Sequence, residues 1–505
     1  MKALLILGAV TGACFILLLD TSIISTAIPR ITNQFHSLPD IGWYGSAYLL
    51  ANCALQPMTG KIYSKFSAKW VFMLFLGIFE LGSLLCGVAT SSKMLIVGRA
   101  VAGMGGSGIT NGALTIIALC APMEKRPVYI GIMMGISQLG IMIGPLIGGA
   151  VTQYATWRWC FYINLPAGAI VAGFLFFIHI PRPKHQVPIT LGIRNLFDGL
   201  DFIGFLLFAP AAIMFLLALE WGGNAYRWNS ATVIGLFCGA AGAFAIFLSW
   251  EYRIGDTAMI PFSMMKKKIT FSSCITMFFL AANLITTSYY MAIYFQAVRG
   301  VSPLLAGVYI LPSILSQMFV AITAGILVGR LGYYLPWVIG GTALTAIGSG
   351  LMSTFTPTSS TGIWIGFQII SGFGRGSGLQ MPVLAMQNSV KPAEVPVAMS
   401  LIIFFQNIGA SLFLSFAQTT FSSGLVHALP IFAPDVNVQA VINAGASGFR
   451  NVVTQALLPG VLHAYSQAIS HVFYLTTGAV LVAFIACWGM GWKSIKKPKV
   501  MQPEA

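Results

Sequence analysis

Four ionisable side chains stand inside apolar runs of this 505-residue chain: Asp20, Glu80, Arg99 and Arg375. At the centre of a membrane helix each costs roughly 2.5–3.5 kcal/mol on insertion scales, so each is a candidate for proton transfer, ion pairing or substrate binding. Depth sorts them. Asp20 lies nine residues before Pro29, about 13 Å along a helix. Arg99 lies six residues after Lys93, about 9 Å from the same end. The matching depths predict an ion pair; the alternative is that Arg99 snorkels to the interface. Glu80 lies near mid-span, where burial favours the neutral acid. It fits a proton carrier, and equally a neutral acid bonded to a neighbouring helix. None of the six histidines is central, which argues against a histidine relay.

Asn111, Gln368, Arg375, Gln406 and Asn407 are the candidates for lining a substrate pocket. Intramembrane amides also serve as helix–helix glue. With aromatic residues at 12%, a greasy cavity with a few polar anchors suits an amphipathic organic compound.

The elements that position these groups are apolar helices. The chain is 57% hydrophobic and 8% charged, with mean hydropathy +0.84, which marks an all-α polytopic membrane protein. The eight cysteines show no metal or disulfide spacing, so no metal site is expected. Gly103-x-Gly105-x-x-Gly108 matches a dinucleotide fingerprint but follows no strand. No catalytic cluster or nucleotide loop stands out, and no enzyme is expected. Ala3–Ile28 reads as a first spanning helix, not a cleaved signal.

Fourteen apolar runs can be counted, from 3–29 to 469–491. Nineteen of the 27 Lys and Arg flank one side of the alternation and six the other, while Arg99 and Arg375 lie inside runs. This bias places both termini in the cytoplasm. It also explains the net charge of +15 without nucleic acid. The division expected is a six-helix bundle over 1–180, an inserted helix pair over 181–268, and a second six-helix bundle over 269–505. The last carries an external loop at 420–468 and a short cytoplasmic tail.

Val128–Ala150 is uncharged yet carries Gly131, Gly135, Gly140, Gly144, Gly148, Gly149 and Pro145. Gly131 and Gly135 share one side; Gly140, Gly144 and Gly148 share roughly the opposite one. Spacings of four let backbones approach closely, which predicts a helix wedged between two others and kinked at Pro145. Internal repetition is also visible. Gly60-Lys61-Ile62-x-x-Lys65 and Gly325-Ile326-Leu327-x-x-Arg330 both fit G-x-[LI]-x-x-[KR] at an offset of 265. Gly103-x-Gly105 and Gly372-x-Gly374 repeat at 269. The offsets predict two similar halves.

Several segments together resemble the fourteen-helix drug:proton antiporter branch of the major facilitator superfamily, especially fungal toxin and multidrug exporters. The first-helix segment Leu19–Pro29, Gly98-Arg99-Ala100-x-x-Gly103-x-Gly105 in helix four, and Trp157–Pro166 carry that resemblance. So does Gly135-x-x-Gln138-x-Gly140-x-x-x-Gly144-Pro145-x-x-Gly148-Gly149, similar to the antiporter motif. The loop motif around Gly60 and Lys65, and its copy at Gly325 and Arg330, resemble the family's cytoplasmic gate, with Ser64 where the family has Asp.

The resemblance implies proton-coupled export of a small amphipathic compound by alternating access. Asp20, Glu80 and Arg99 would handle the proton, and a proton gradient would stand in place of a cofactor. It further implies a monomer in the plasma membrane, or alternatively the vacuolar membrane, with small-molecule substrate and bilayer as its only partners and no nucleic acid. An importer of siderophores or basic amino acids shares the fold and is the alternative; a non-transporting receptor is a more distant one.

Overall fold

The computed structural model describes residues 2–36, 40–181, 200–223 and 226–496. Arg182, Lys184, Arg194, Lys497 and Lys499, counted above as basic flanks, lie outside them.

The described chain is helical. The first half comprises α1 (Lys2–Phe35), α2 (Ile41–Lys65), α3 (Ala68–Gly87), α4 (Ser92–Cys120), α5 (Arg126–Tyr154) and α6 (Trp159–Phe177). The inserted pair is α7 (Phe202–Trp221) and α8 (Ala231–Ile254). The second half holds α9 (Lys268–Ile293), α10 (Pro303–Leu331), α11 (Leu335–Met352), α12 (Thr361–Gly378), α13 (Met381–Ser389), α14 (Val395–Phe432), the short α15 (Val438–Gly448) and α16 (Leu458–Cys487).

Each of the fourteen apolar runs contains a helix, and among the described residues eleven helices are long and apolar enough to cross a membrane. The exceptions are α2, α4 and α12. They carry Asn52, Gln56 and Lys61, Arg99 and Asn111, and Gln368 and Arg375. All of these side chains are buried against other helices, so polarity there meets protein, not lipid. Apolar side chains such as Leu74, Phe177, Ile246, Phe319 and Ile485 point outward instead.

Helix ends follow local chemistry. Ser91, Ser230 and Ser302 accept from the N–H three residues on, as N-caps do. Gly332 ends α10 at φ +90°, a conformation that glycine adopts without steric cost. The stretch 420–468, read above as an external loop, is largely helical: α14 runs on to Phe432 and α16 starts at Leu458. Its polar residues mark helix that extends past the apolar stretch, not irregular chain.

Packing repeats between the halves. α1 packs on α5 as α9 does on α14; α3 on α4 as α11 on α12; α2 on α4 as α10 on α12. The halves meet along two seams, α2 with α14 and α5 with α10. α7 covers the first seam, packing on both α2 and α14.

The glycines of α5 show how the seams are arranged. A Cβ on Gly131 would lie 2.6 Å from the Ala321 carbonyl oxygen of α10, and one on Gly135 2.7 Å from Met318 Cγ. Beyond them, Gly140 meets the backbone of Phe15, Gly144 meets Ser22 and Gly148 meets Ile23, all on α1. The predicted wedge is therefore seen. Gly149 is different: nothing lies within 4 Å of where its Cβ would be, so this glycine of the motif serves no close approach. The helix is continuous through Pro145.

Candidate functional site

The structure brings Asp20 and Arg99 together. Arg99 Nη1 lies 2.5 Å from Asp20 Oδ2, with the side chains 1% and 0% exposed. Arg99 Nε donates to the Tyr44 carbonyl oxygen at 3.0 Å, and its guanidinium lies over the Tyr48 ring, 4.7 Å from the centroid. Asp20 Oδ1 accepts from Asn164 Nδ2 at 2.9 Å; the same nitrogen is 3.1 Å from Ser83 Oγ. Five helices, α1, α2, α3, α4 and α6, thus converge on one pair. Gly103 makes room, since a Cβ there would lie 2.9 Å from Tyr48 Cα. Desolvating two charges costs several kcal/mol each; Tyr44 and Asn164 offset part of that cost by bonding the pair, and Ser83 accepts from Asn164. Sequence reasoning missed these three. Asn164 stood within the Trp157–Pro166 segment without a chemical role.

Glu80 is not hydrogen-bonded to the pair. Its carboxylate abuts Gly168 of α6, where a Cβ would collide with it, and neither oxygen has a hydrogen-bond partner among the described residues. The bond that a structural acid would make to a neighbouring helix is therefore not seen. Glu80 precedes Ser83 by about one turn of α3, and Asn164 precedes Gly168 by about one turn of α6. The acid thus sits one turn along the same α3–α6 seam from the Asp20 cluster.

The second half repeats this scaffold without the charge. Gln368, at the same offset of 269 from Arg99, donates from Nε2 to the Tyr309 carbonyl oxygen at 2.9 Å, as Arg99 does to Tyr44. Asn283 occupies the place of Asp20: Gly409 packs on the backbone of Phe278 as Gly140 does on Phe15, and Asp20 and Asn283 each lie five residues further on. Asn283 Nδ2 donates to Ser349 Oγ at 2.8 Å.

The five pocket candidates do not line one cavity. Asn111 is fully buried between α2 and α14. With its amide oriented to satisfy both atoms, it donates to the Pro396 carbonyl oxygen at 3.2 Å and accepts from Thr59 Oγ1 at 2.9 Å and the Gly60 N–H at 3.2 Å. It is glue between the halves. Asn407 Nδ2 donates to Asn52 Oδ1 at 3.1 Å across the same seam, with the half-buried Gln406 beside it. Gln368 belongs to the scaffold just described. Arg375, 2% exposed, faces a cavity of about 10 Å³ with Gln138, Gln317, Met318 and Gln380. This cavity lies on the α5–α10 seam and brings Gln138 and Arg375 together.

The loop-motif residues lie at the end where the basic side chains gather. Gly60 packs on Val397 and Ser400 of α14, and Gly325 on Pro127 and Val128 of α5. The two copies therefore occupy equivalent places on opposite seams. Lys65 is half-buried and Arg330 exposed; the Arg330 carbonyl oxygen accepts from Lys496 Nζ. Lys61 Nζ instead reaches the Thr257 carbonyl oxygen at 3.1 Å, beyond α8. A cavity of about 520 Å³ opens at this end between the halves, with Glu124, Arg126, Gln387 and Asn388 among its walls.

Comparison with known proteins places this geometry. The chain is 58% identical to the "MFS-type transporter pigP" of Monascus ruber, over 99% of this chain and 88% of the relative. It is 53% identical to the "Efflux pump mlcE" of Penicillium citrinum, over 98% and 91%. It is 41% identical to the "Efflux pump aflT" of Aspergillus parasiticus, over 98% and 97%. Among solved structures, the human organic anion transporter MFSD10 superposes with a TM-score of 0.60 at 13% identity, over 95% of this chain and 99% of that one. The proton:xylose symporter XylE superposes with 0.57 at 14%, over 94% of each. At these identities the likeness concerns the fold. The family model described as Major Facilitator Superfamily matches residues 10–414, and the chain belongs to that superfamily.

Proposed function

We propose that this integral membrane transporter is a proton-coupled exporter of a small amphipathic organic compound, a secondary metabolite, toxin or drug, working by alternating access across fourteen spans. The observation that carries this reading is the buried Asp20–Arg99 pair held by five helices. A carboxylate that must gain a proton to leave its guanidinium can couple protonation to helix rearrangement. Relatives named as efflux pumps support the export direction. The close glycine contacts between halves lie toward the basic end, which the positive-inside bias assigns to the cytoplasm. That packing closes both seams at this end, around the cavity of about 520 Å³ that remains between the halves. Both termini would then be cytoplasmic, and the working unit a monomer in the plasma membrane. Inverted vesicles carrying the full chain test the reading. A gradient acidic inside should drive substrate uptake, and collapsing it with an ionophore should stop uptake. Uptake indifferent to the gradient would remove the antiport claim.

A further inference from the structure

We infer that the substrate carries a single negative charge, a carboxylate or an equally delocalised oxyanion, and that Arg375 is the group that receives it. The inference rests on the transporter reading above and names the substrate class for it.

The argument begins with charge. Among the described residues the ion pairs are Asp20–Arg99 and Lys267–Glu394; Arg375 belongs to neither. It is fully buried, and its Nη2 donates to Ser313 Oγ. Nε and Nη1 have no hydrogen-bond partner among the described residues. A guanidinium is always charged and presents five N–H donors. An unpaired buried cation is strongly disfavoured unless something complements it. In the first half that complement is Asp20. Arg375 has no such partner: it is in neither ion pair, and no carboxylate among the described residues lines its cavity.

Position completes the argument. Arg375 lies midway between Thr361 and Ser389, the outer limits of the α12–α13 pair. The helix breaks at Leu379–Gln380, about one turn beyond it. Interrupted helices near the midplane, at the interface of two repeats, are where such transporters hold substrate. The Arg375 cavity is walled by both halves, with Gly135 and Gln138 from α5 and Gln317 and Gln380 from the second half. At about 10 Å³ it has room for roughly one water, so an organic anion enters only when the α5–α10 seam parts. One positive charge calls for one negative charge. A monoanion neutralises the site, whereas a neutral ester leaves the guanidinium uncompensated.

The test uses vesicles carrying the full chain and two probe pairs, 1-pyrenebutyrate and 9-anthracenecarboxylate, each with its methyl ester. Wild type should transport at least one acid tenfold faster than its ester. Arg375→Gln should abolish that preference, bringing the acid and ester rates within twofold of each other. Arg375→Lys, which keeps the charge, should retain it, and both variants should elute as monodisperse protein in detergent. Equal acid and ester rates in wild type, or a preference that survives Arg375→Gln, would overturn the inference and leave the exporter reading standing. If neither member of either pair moves in wild-type vesicles, the transporter reading falls and this inference with it.

Discussion

Asp20 and Arg99 can be compared with a control that the same chain carries. Asn283 and Gln368 occupy their places in the second half and bond to Ser349 and Tyr309, so an uncharged pair fits this scaffold. Breaking a buried pair by removing one partner typically costs about 3–5 kcal/mol. Asp20→Asn and Arg99→Gln should each lower thermal stability in detergent by an amount of that order. The double variant should recover most of it, a coupling that a double-mutant cycle measures. Gradient-driven uptake should be lost in all three. A double variant that still responds to the proton gradient would separate this pair from coupling. The pair was legible in the sequence because charges are rare in apolar runs and their depths can be counted. Asn164 and Ser83 were not, because amides and hydroxyls are inexpensive enough in membrane helices to occur without a role. The partnerless oxygens of Glu80 were equally hidden, since spacing along α3 says nothing of what α6 places opposite.

Helix α5 offers a paired test at the next scale. A Cβ on Gly144 would meet Ser22 and the Ile23 backbone, whereas one on Gly149 would meet nothing within 4 Å. Gly144→Leu should therefore force α1 away from α5, with a cost above the 1–3 kcal/mol usual for overpacking. It should lower both detergent stability and uptake. Gly149→Leu should leave both within twofold, read by melting temperature and initial transport rate. Equal damage from the two would mean that the motif acts through something other than close approach. The two-sided glycine pattern was readable because helical periodicity fixes which residues share a face. The indifference of Gly149 was not, because periodicity does not reveal where a neighbouring helix diverges. Helix ends were also obscure: α14 runs to Phe432 through residues whose polarity resembles a loop. A helix satisfies its own backbone wherever it projects, so polarity alone does not mark its end.

For the molecule as a whole, the duplication was legible from two motif offsets, but which end of the seams is closed was not. A transporter's sequence is the same in every conformation, and only packing distinguishes them. Here the contacts that matter are Gly60 with Val397 and Ser400, and Gly325 with Pro127, both at the basic end. Alternating access requires those contacts to part in every cycle. A Cβ on Gly60 would lie 3.0 Å from Ser400 Cβ, close enough for a disulfide after a slight shift. The pair Gly60→Cys with Ser400→Cys should cross-link under mild oxidation and stop transport, and dithiothreitol should restore it. Each single variant should transport under both conditions once the exposed Cys238 and half-buried Cys120 are replaced by Ser, since the other six native cysteines are buried and poorly placed to react. The second seam supplies the decisive comparison, because α7 covers α2 and α14 but not α5 and α10. If the halves rock as rigid bodies, locking the covered seam alone immobilises the uncovered one. Maleimide labelling of Gly131→Cys should then be blocked in the oxidised triple variant and return on reduction. Labelling that continues while the α2–α14 seam is locked would show that the seams open independently, and a rigid rocking motion would have to be abandoned.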